Sequence, residues 1–151
     1  MDTTHPTAVA LAVERPFYTA FSQFPAVCFT LTLLTDIAYY LSANLLWQNF
    51  SSWLLFAGLV FGGFALVVAI IEFLARSGLA LLRPTWPVIV GYLVVLLLAL
   101  LNSFIHAGDG WTAVVPYGLA TSAVTFVVML VVAGMNRSMK TRRLVGVNHH
   151  A

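Results

Sequence analysis

Long apolar stretches, separated by short polar ones, dominate this sequence. Four of them approach the ~20 residues that a helix needs to cross ~30 Å of hydrocarbon at 1.5 Å per residue. They cover residues 25–47, 53–75, 87–106 and 113–135. The pattern predicts an all-α integral membrane four-helix bundle, with an interfacial segment 1–24 before it and a basic tail 136–151 after it.

The breaks between these stretches carry turn-forming residues. Residues 48–52 are polar and predict a short first turn, while residues 76–84 contain two arginines and end in Pro84. Gly108, Asp109 and Gly110 form a Gly-Asp-Gly sequence typical of a tight turn. Pro25 and Pro87 stand near predicted helix starts, where the missing N–H does least harm.

Basic residues fall on one side of this predicted topology. They precede the first helix, lie between the second and third, and follow the fourth: Arg15, Arg76, Arg83, Arg137, Lys140, Arg142 and Arg143. The other two loops contain neither lysine nor arginine. The positive-inside rule therefore predicts that both termini are cytoplasmic (N-in/C-in), with Trp47, Trp53 and Trp111 at the outer interface.

Composition narrows the function classes. The chain is 61% hydrophobic and 8% charged, against roughly 45–50% and ~25% in soluble domains. Cys28 is the single cysteine, so neither an intramolecular disulfide nor a thiolate metal cluster is expected. We find no metal-binding, nucleic-acid-binding or catalytic motif. The sequence therefore favours a membrane protein that is not an enzyme.

A polar stripe runs along the first predicted helix. Its members recur every four residues: Cys28, Thr32, Asp36, Tyr40 and Asn44. Asp36 is its centre and is expected about 15 Å from the inner helix end, where an ionised carboxylate costs at least ~2.5–3.5 kcal/mol. Two interpretations remain open: a proton-carrying or ligand-binding acid, and a neutral carboxyl group hydrogen-bonded to a neighbouring helix.

A second polar group closes the third predicted helix and continues into the outer loop. Its members are Asn102, Ser103, His106, Asp109 and Trp111. Asn102 and His106 lie one turn apart on one helix face. If the bundle brings helices 1 and 3 together, they complete a polar path from Asn44 down to Asp36. The alternative is that His106 and Asp109 cap a helix end and order the loop.

Two further groups have structural interpretations. Small residues on the fourth predicted helix, Gly118, Thr121, Ser122 and Thr125, predict close helix packing, because small side chains let helix backbones approach in lipid. Glu72 precedes Arg76 by four residues, the favoured order for a helical ion pair. We expect this pair to anchor the inner end of helix 2.

Two motifs carry a family resemblance. Phe24 and Pro25 open helix 1 ahead of Asp36, and residues 102–111 read NSFIHAGDGW. With the glycine-bearing helix 2, they make residues 24–135 similar to the bacterial membrane proteins of domain of unknown function 2231. The resemblance implies a four-helix bacterial inner-membrane protein with no established reaction. Some members are encoded beside quinoprotein sugar-dehydrogenase-like proteins and c-type cytochromes, which implies a respiratory setting.

Three functional hypotheses follow. The first is a non-enzymatic membrane subunit or anchor that docks a periplasmic or respiratory redox partner on its outer loops. The second is electron or proton transfer with a quinone or haem b, using Asp36, Asn102 and His106; bis-histidine haem is disfavoured because His106 is the one histidine predicted in a helix. The third is a small transporter or channel that uses Asp36 and requires a homo-oligomer.

Overall fold

Helices make up almost all of the chain that the structure describes. The computed structural model covers residues 16–75, 86–108 and 110–148, with side chains for 23–71, 86–108 and 110–138. The helices are α1 (Pro16–Ser42), α2 (Leu45–Ala75), α3 (Trp86–His106), the single turn α4 (Trp111–Val114) and α5 (Tyr117–Asn148). A turn with a cis Val115–Pro116 peptide bond joins α4 to α5.

Four membrane-spanning segments are confirmed. They are Gln23–Ser42, Leu45–Ile71, Trp86–His106 and Trp111–Ser138, each long and apolar enough to cross a bilayer. In the bundle, α1 packs on α2, α2 on α3, α3 on α5 and α5 on α1. Large apolar side chains on all four long helices remain exposed. Because exposed leucine, valine and phenylalanine are favourable in hydrocarbon, these faces indicate contact with lipid.

The first helix starts earlier than the sequence pattern predicted. It begins at Pro16 rather than Pro25, and Pro25 lies inside it. Pro16 occupies the first helical position, where its fixed φ and missing N–H are tolerated. Part of the predicted interfacial segment 1–24 is therefore continuous with the first span.

The first turn also lies elsewhere, at Ala43 and Asn44 instead of residues 48–52. Ala43 has φ +52°, and the Asn44 side-chain oxygen accepts a hydrogen bond from the Leu46 N–H at 3.0 Å. Such a bond satisfies a free N–H at the start of a helix. Residues 48–52 contain neither glycine nor proline, so they continue α2. The predicted polar turn is thus the first part of the second span.

Two apolar clusters divide the bundle interior. We call the end with the Ala43–Asn44 turn and residues 107–108 and 110–116 the loop side, and the opposite end the tail side. The central cluster contains Phe29, Leu55, Val95 and Ala99. The loop-side cluster contains Tyr39, Ala113 and Val114, with Trp47, Val115 and Leu119 packed against it. The buried polar residues lie between these two clusters.

Some predicted features fall outside the described residues. Asp109 and the loop arginines Arg15, Arg76 and Arg83 are among them, and so is the side chain of Glu72. The Glu72–Arg76 pair and the cytoplasmic placement of the termini therefore stay predictions.

Candidate functional site

Asp36 is the point at which all four spans meet. Its carboxyl group, on α1, has no exposed surface. Oδ1 accepts a hydrogen bond from Ser51 Oγ of α2 at 2.5 Å and lies 2.8 Å from His106 Nε2 of α3. Oδ2 accepts from Ser122 Oγ of α5 at 2.5 Å. This one side chain therefore joins the four membrane helices through hydrogen bonds.

Further polar groups support these partners. Asn102 Nδ2 donates to Ser122 Oγ at 2.7 Å, and Thr35 Oγ1 lies 2.7 Å from Ser51 Oγ. The hydroxyl groups of Ser51 and Ser122 give their hydrogens to Asp36, so both oxygens remain available as acceptors. Asn102, Ser51 and Ser122 are all buried. The result is a connected polar network around one carboxyl group.

The backbone of α3 decides the tautomer of His106. His106 Nδ1 lies 3.0 Å from the carbonyl oxygen of Asn102, one turn earlier in the helix. A carbonyl oxygen can only accept, so Nδ1 carries the hydrogen of this bond. The bond between Nε2 and Asp36 Oδ1 then contains one more proton, which resides on either atom. The pair is either carboxylic acid with neutral imidazole or carboxylate with imidazolium, and its net charge is zero in both.

Both proton positions satisfy every hydrogen bond of the carboxyl group. With the proton on His106, the carboxylate accepts from Ser51, Ser122 and Nε2. With the proton on Asp36, Oδ1 donates to Nε2 and still accepts from Ser51, while Oδ2 still accepts from Ser122. No neighbouring donor has to turn when the proton moves. Zero net charge also avoids the large cost of an unpaired charge in a membrane interior. The arrangement can therefore hold a proton and let it move between the two side chains.

Gly118 makes room for the imidazole ring. A Cβ atom at this position of α5 would lie 2.8 Å from His106 Cε1 and 2.8 Å from the Ala113 carbonyl oxygen. Both distances are too short for carbon in a folded protein. The absence of a side chain at Gly118 is thus what lets His106 reach Asp36 between α3 and α5.

The loop-side cluster covers this network. Tyr39 lies one turn beyond Asp36 and is almost fully buried with Ala113 and Val114. The Tyr39 ring also contacts Trp111, with ring centroids 5.8 Å apart. On the tail side of the network lie Phe29 and Leu55, which belong to the central apolar cluster. The network is therefore enclosed between apolar layers, and the predicted path from Asn44 to Asp36 is interrupted by Tyr39 and its neighbours.

The structure brings together three of the five residues predicted for the intramembrane site, namely Asp36, Asn102 and His106. Tyr40 is 52% exposed and contacts Trp111, and Asn44 lies in the exposed turn. A stripe with a four-residue step drifts around a helix of 3.6 residues per turn. The buried face of α1 consequently continues from Asp36 to Tyr39 instead of Tyr40.

Asp36 also lies closer to one membrane face than expected. It stands six residues before the end of α1 at Ser42, about 9 Å along the helix axis. The sequence analysis placed it about 15 Å from the inner helix end, near the bilayer midplane, because the first helix was expected to run from Pro25 to Trp47. His106 is the last residue of α3, so the pair occupies the loop-side third of the bundle.

Comparison with known protein families gives a match for this chain. The family described as "Predicted membrane protein (DUF2231)" matches residues 15–149, nearly the whole chain. The chain belongs to the DUF2231 family. Comparisons with curated proteins and with solved structures gave no match. The expected family is confirmed, and it describes a membrane protein without assigning an activity to the Asp36 network.

Two serines of this DUF2231 protein were not predicted as site residues. Ser51 fell in the expected turn, and Ser122 was interpreted as a small packing residue. One signal for Ser51 was present, because the buried positions of α2 follow an unbroken helical period from it: Ser51, Leu55, Gly58, Gly62 and Ala65. Extending that period back across residues 48–52 would have placed its hydroxyl group inside the bundle.

Ser51→Ala is expected to destabilise the DUF2231 bundle by about 0.6–1.7 kcal/mol, the average and the maximum found for interhelical hydrogen bonds in a membrane protein. Ser52→Ala is the matched control, since the Ser52 hydroxyl donates to the Gln48 carbonyl oxygen of its own helix at 3.1 Å. Unfolding with SDS in mixed micelles measures both. Equal small effects would contradict the role given to Ser51.

The described residues do not favour a haem or metal centre in this DUF2231 protein. Both ring nitrogens of His106 are engaged, with Asp36 and with the Asn102 carbonyl oxygen. An iron atom would have to displace one of these partners, and His106 is the single histidine of the described ranges. Among the same residues, no three His, Cys, Asp or Glu side chains lie close enough to bind a metal ion together.

Proposed function

We propose that this protein is a non-enzymatic membrane subunit that docks a redox partner on its loop side and whose Asp36–His106 pair holds a shared proton within the bundle. One observation carries the proton-holding role: the bond from His106 Nδ1 to the Asn102 carbonyl oxygen leaves a single proton between Nε2 and Asp36 Oδ1. The respiratory partner is taken from the setting that the family resemblance implies.

The enclosed geometry supports proton holding over the other hypotheses. An open channel needs a continuous polar path, whereas Tyr39, Ala113 and Val114 lie between the pair and the loop side. A quinone carbonyl accepts hydrogen bonds, and the unpartnered buried side-chain atom of the described residues, Asn102 Oδ1, is also an acceptor. A quinol hydroxyl group would suit that atom better. We therefore place a quinone-type ligand second.

The test uses the intact protein and a chromosomal deletion complemented with variants. Native purification in gentle detergent is expected to retain a redox protein that mass analysis identifies. Respiration by membrane vesicles is expected to fall with Asp36→Asn, which keeps the side-chain shape and removes the transferable proton, and to stay normal with Tyr40→Phe on the lipid-facing side of α1. The partner is expected to remain bound in both variants.

Two results would overturn the proposal. A monodisperse protein that retains no associated protein would contradict the subunit role. Full respiration with Asp36→Asn, at equal amounts of protein, would contradict the proton role. An absorbance spectrum of the same material tests the haem alternative through its Soret band, and lipid extraction tests for a quinone.

The proposed placement in the bacterial inner membrane, with both termini cytoplasmic, gives a separate prediction. Cysteines introduced at Asn49 and Ser138 lie on exposed positions at opposite ends of the bundle, and native Cys28 is buried. A membrane-impermeant maleimide added to intact spheroplasts is expected to label Asn49→Cys and not Ser138→Cys. Labelling of Ser138→Cys and not of Asn49→Cys would show the opposite topology, with both termini outside the cytoplasm.

A further inference from the structure

One buried atom of the polar network has no hydrogen-bond partner among the described residues. It is Asn102 Oδ1, and the whole Asn102 side chain is 1% exposed. A buried carbonyl-type oxygen without a donor is unfavourable and uncommon in folded proteins. The position therefore calls for a donor that the surrounding side chains do not supply.

The orientation of the Asn102 amide matters for Asp36. Nδ2 donates to Ser122 Oγ, and Ser122 gives its one hydrogen to Asp36 Oδ2. If the amide turned over, Oδ1 would face Ser122 Oγ, and the Ser122 hydrogen would have to choose between Oδ1 and Asp36. A donor bound to Oδ1 on its present side keeps the amide in place. Such a donor would set the direction of the hydrogen bond from Ser122 to the carboxyl group.

Thr32 and Thr125 are two further buried polar residues of the bundle. Thr32 lies one turn from Asp36 and Thr125 about one turn from Ser122, each toward the tail side. Their hydroxyl groups donate within their own helices, Thr32 to the Cys28 carbonyl oxygen at 3.0 Å and Thr125 to the Thr121 carbonyl oxygen at 2.7 Å. Neither can donate to Oδ1, but both oxygens can still accept.

We propose that Asn102 Oδ1 binds a buried water molecule whose second hydrogen goes to the hydroxyl oxygen of Thr32 or Thr125, and that this water fixes the amide so that Ser122 donates to Asp36. Water suits the site because it can donate twice, to Oδ1 and to a threonine oxygen, and buried waters usually have two to four polar partners. The inference rests on the proposed function and deepens it, because it explains why Ser122 donates its hydrogen to Asp36, one member of the proton-holding pair.

The experiment is solid-state NMR of the full chain in lipid bilayers, with magnetisation transferred from water to the side-chain carbonyl carbon of Asn102. In the wild type we expect clear transfer to Asn102 and none to the buried Val95 side chain. We expect its loss in the Thr32→Val/Thr125→Val double variant. Thr30→Val should retain it, since the Thr30 hydroxyl donates to the Ala26 carbonyl oxygen at 2.7 Å on an exposed face.

The outcomes separate this inference from the proposed function. Absence of water contact at Asn102 in the wild type would overturn the inference, as would equal transfer in the wild type and the double variant. An organic ligand found at Asn102 by mass analysis would overturn it too. In each case the ¹⁵N signals of His106 still report whether the pair shares a proton, so the proton-holding role is judged independently.

Discussion

Replacing Asp36 with leucine is expected to lower the free energy of unfolding by about 3–5 kcal/mol, because removing one partner of a buried pair leaves the other unsatisfied. His106→Leu is expected to cost a similar amount. In the double variant neither polar partner remains buried alone, so the loss should fall short of the sum by about 0.5–3 kcal/mol, the usual coupling between contacting residues.

This double-mutant cycle can be measured by SDS unfolding in mixed micelles. Tyr40→Leu serves as the control, because Tyr40 lies on the same helix and is 52% exposed. It is expected to change the stability little and to show no coupling to His106→Leu. Strictly additive losses for Asp36→Leu and His106→Leu would mean that the two side chains do not interact in the membrane.

Gly118→Ala is expected to destabilise the bundle by about 1–3 kcal/mol, the usual cost of forcing extra atoms into a packed interior. The added methyl group would press on His106 Cε1 and the Ala113 carbonyl oxygen. The imidazole ring must then move away from α5, and we expect its bond to Asp36 to lengthen. Thermal unfolding and the ¹⁵N signals of His106 measure the two effects.

Gly134→Ala is the matched control in the same helix. A Cβ atom there would meet no other atom within 4 Å, and alanine is favoured over glycine inside a helix by about 0.5–1 kcal/mol. We therefore expect the two alanine substitutions to have opposite signs. A stabilising Gly118→Ala variant would show that the ring does not lie against α5.

The spans were predictable because lipid imposes length and hydrophobicity on a helix directly. The four predicted stretches correspond to the four observed spans, although the first turn moved from residues 48–52 to Ala43 and Asn44. Polar residues at a membrane interface are compatible with both turn and helix. The decisive contact, from the Asn44 side chain to the Leu46 N–H, depends on geometry that a polarity pattern does not record.

The sequence identified those site residues whose side chains are rarely found inside a membrane span. An acid inside a span and a histidine at a helix end are conspicuous, so Asp36 and His106 could be singled out, together with Asn102 one turn away. Ser122 could not, because serine occurs both in turns and at close helix contacts, and for Ser51 the helical period of α2 was the one available signal. Their role follows only from the packing that directs both hydroxyl groups at one carboxyl group.

The position of the proton is the most direct test of the proposed pair. In a variant that keeps His106 as the only histidine, ¹⁵N NMR in lipid bilayers is expected to show a hydrogen on Nδ1 and a proton shared between Nε2 and Asp36, and Asp36→Asn should change the Nε2 signal strongly. An Nδ1 atom without a bound hydrogen would contradict the shared proton and the function built on it. So would an Nε2 signal that Asp36→Asn leaves unchanged.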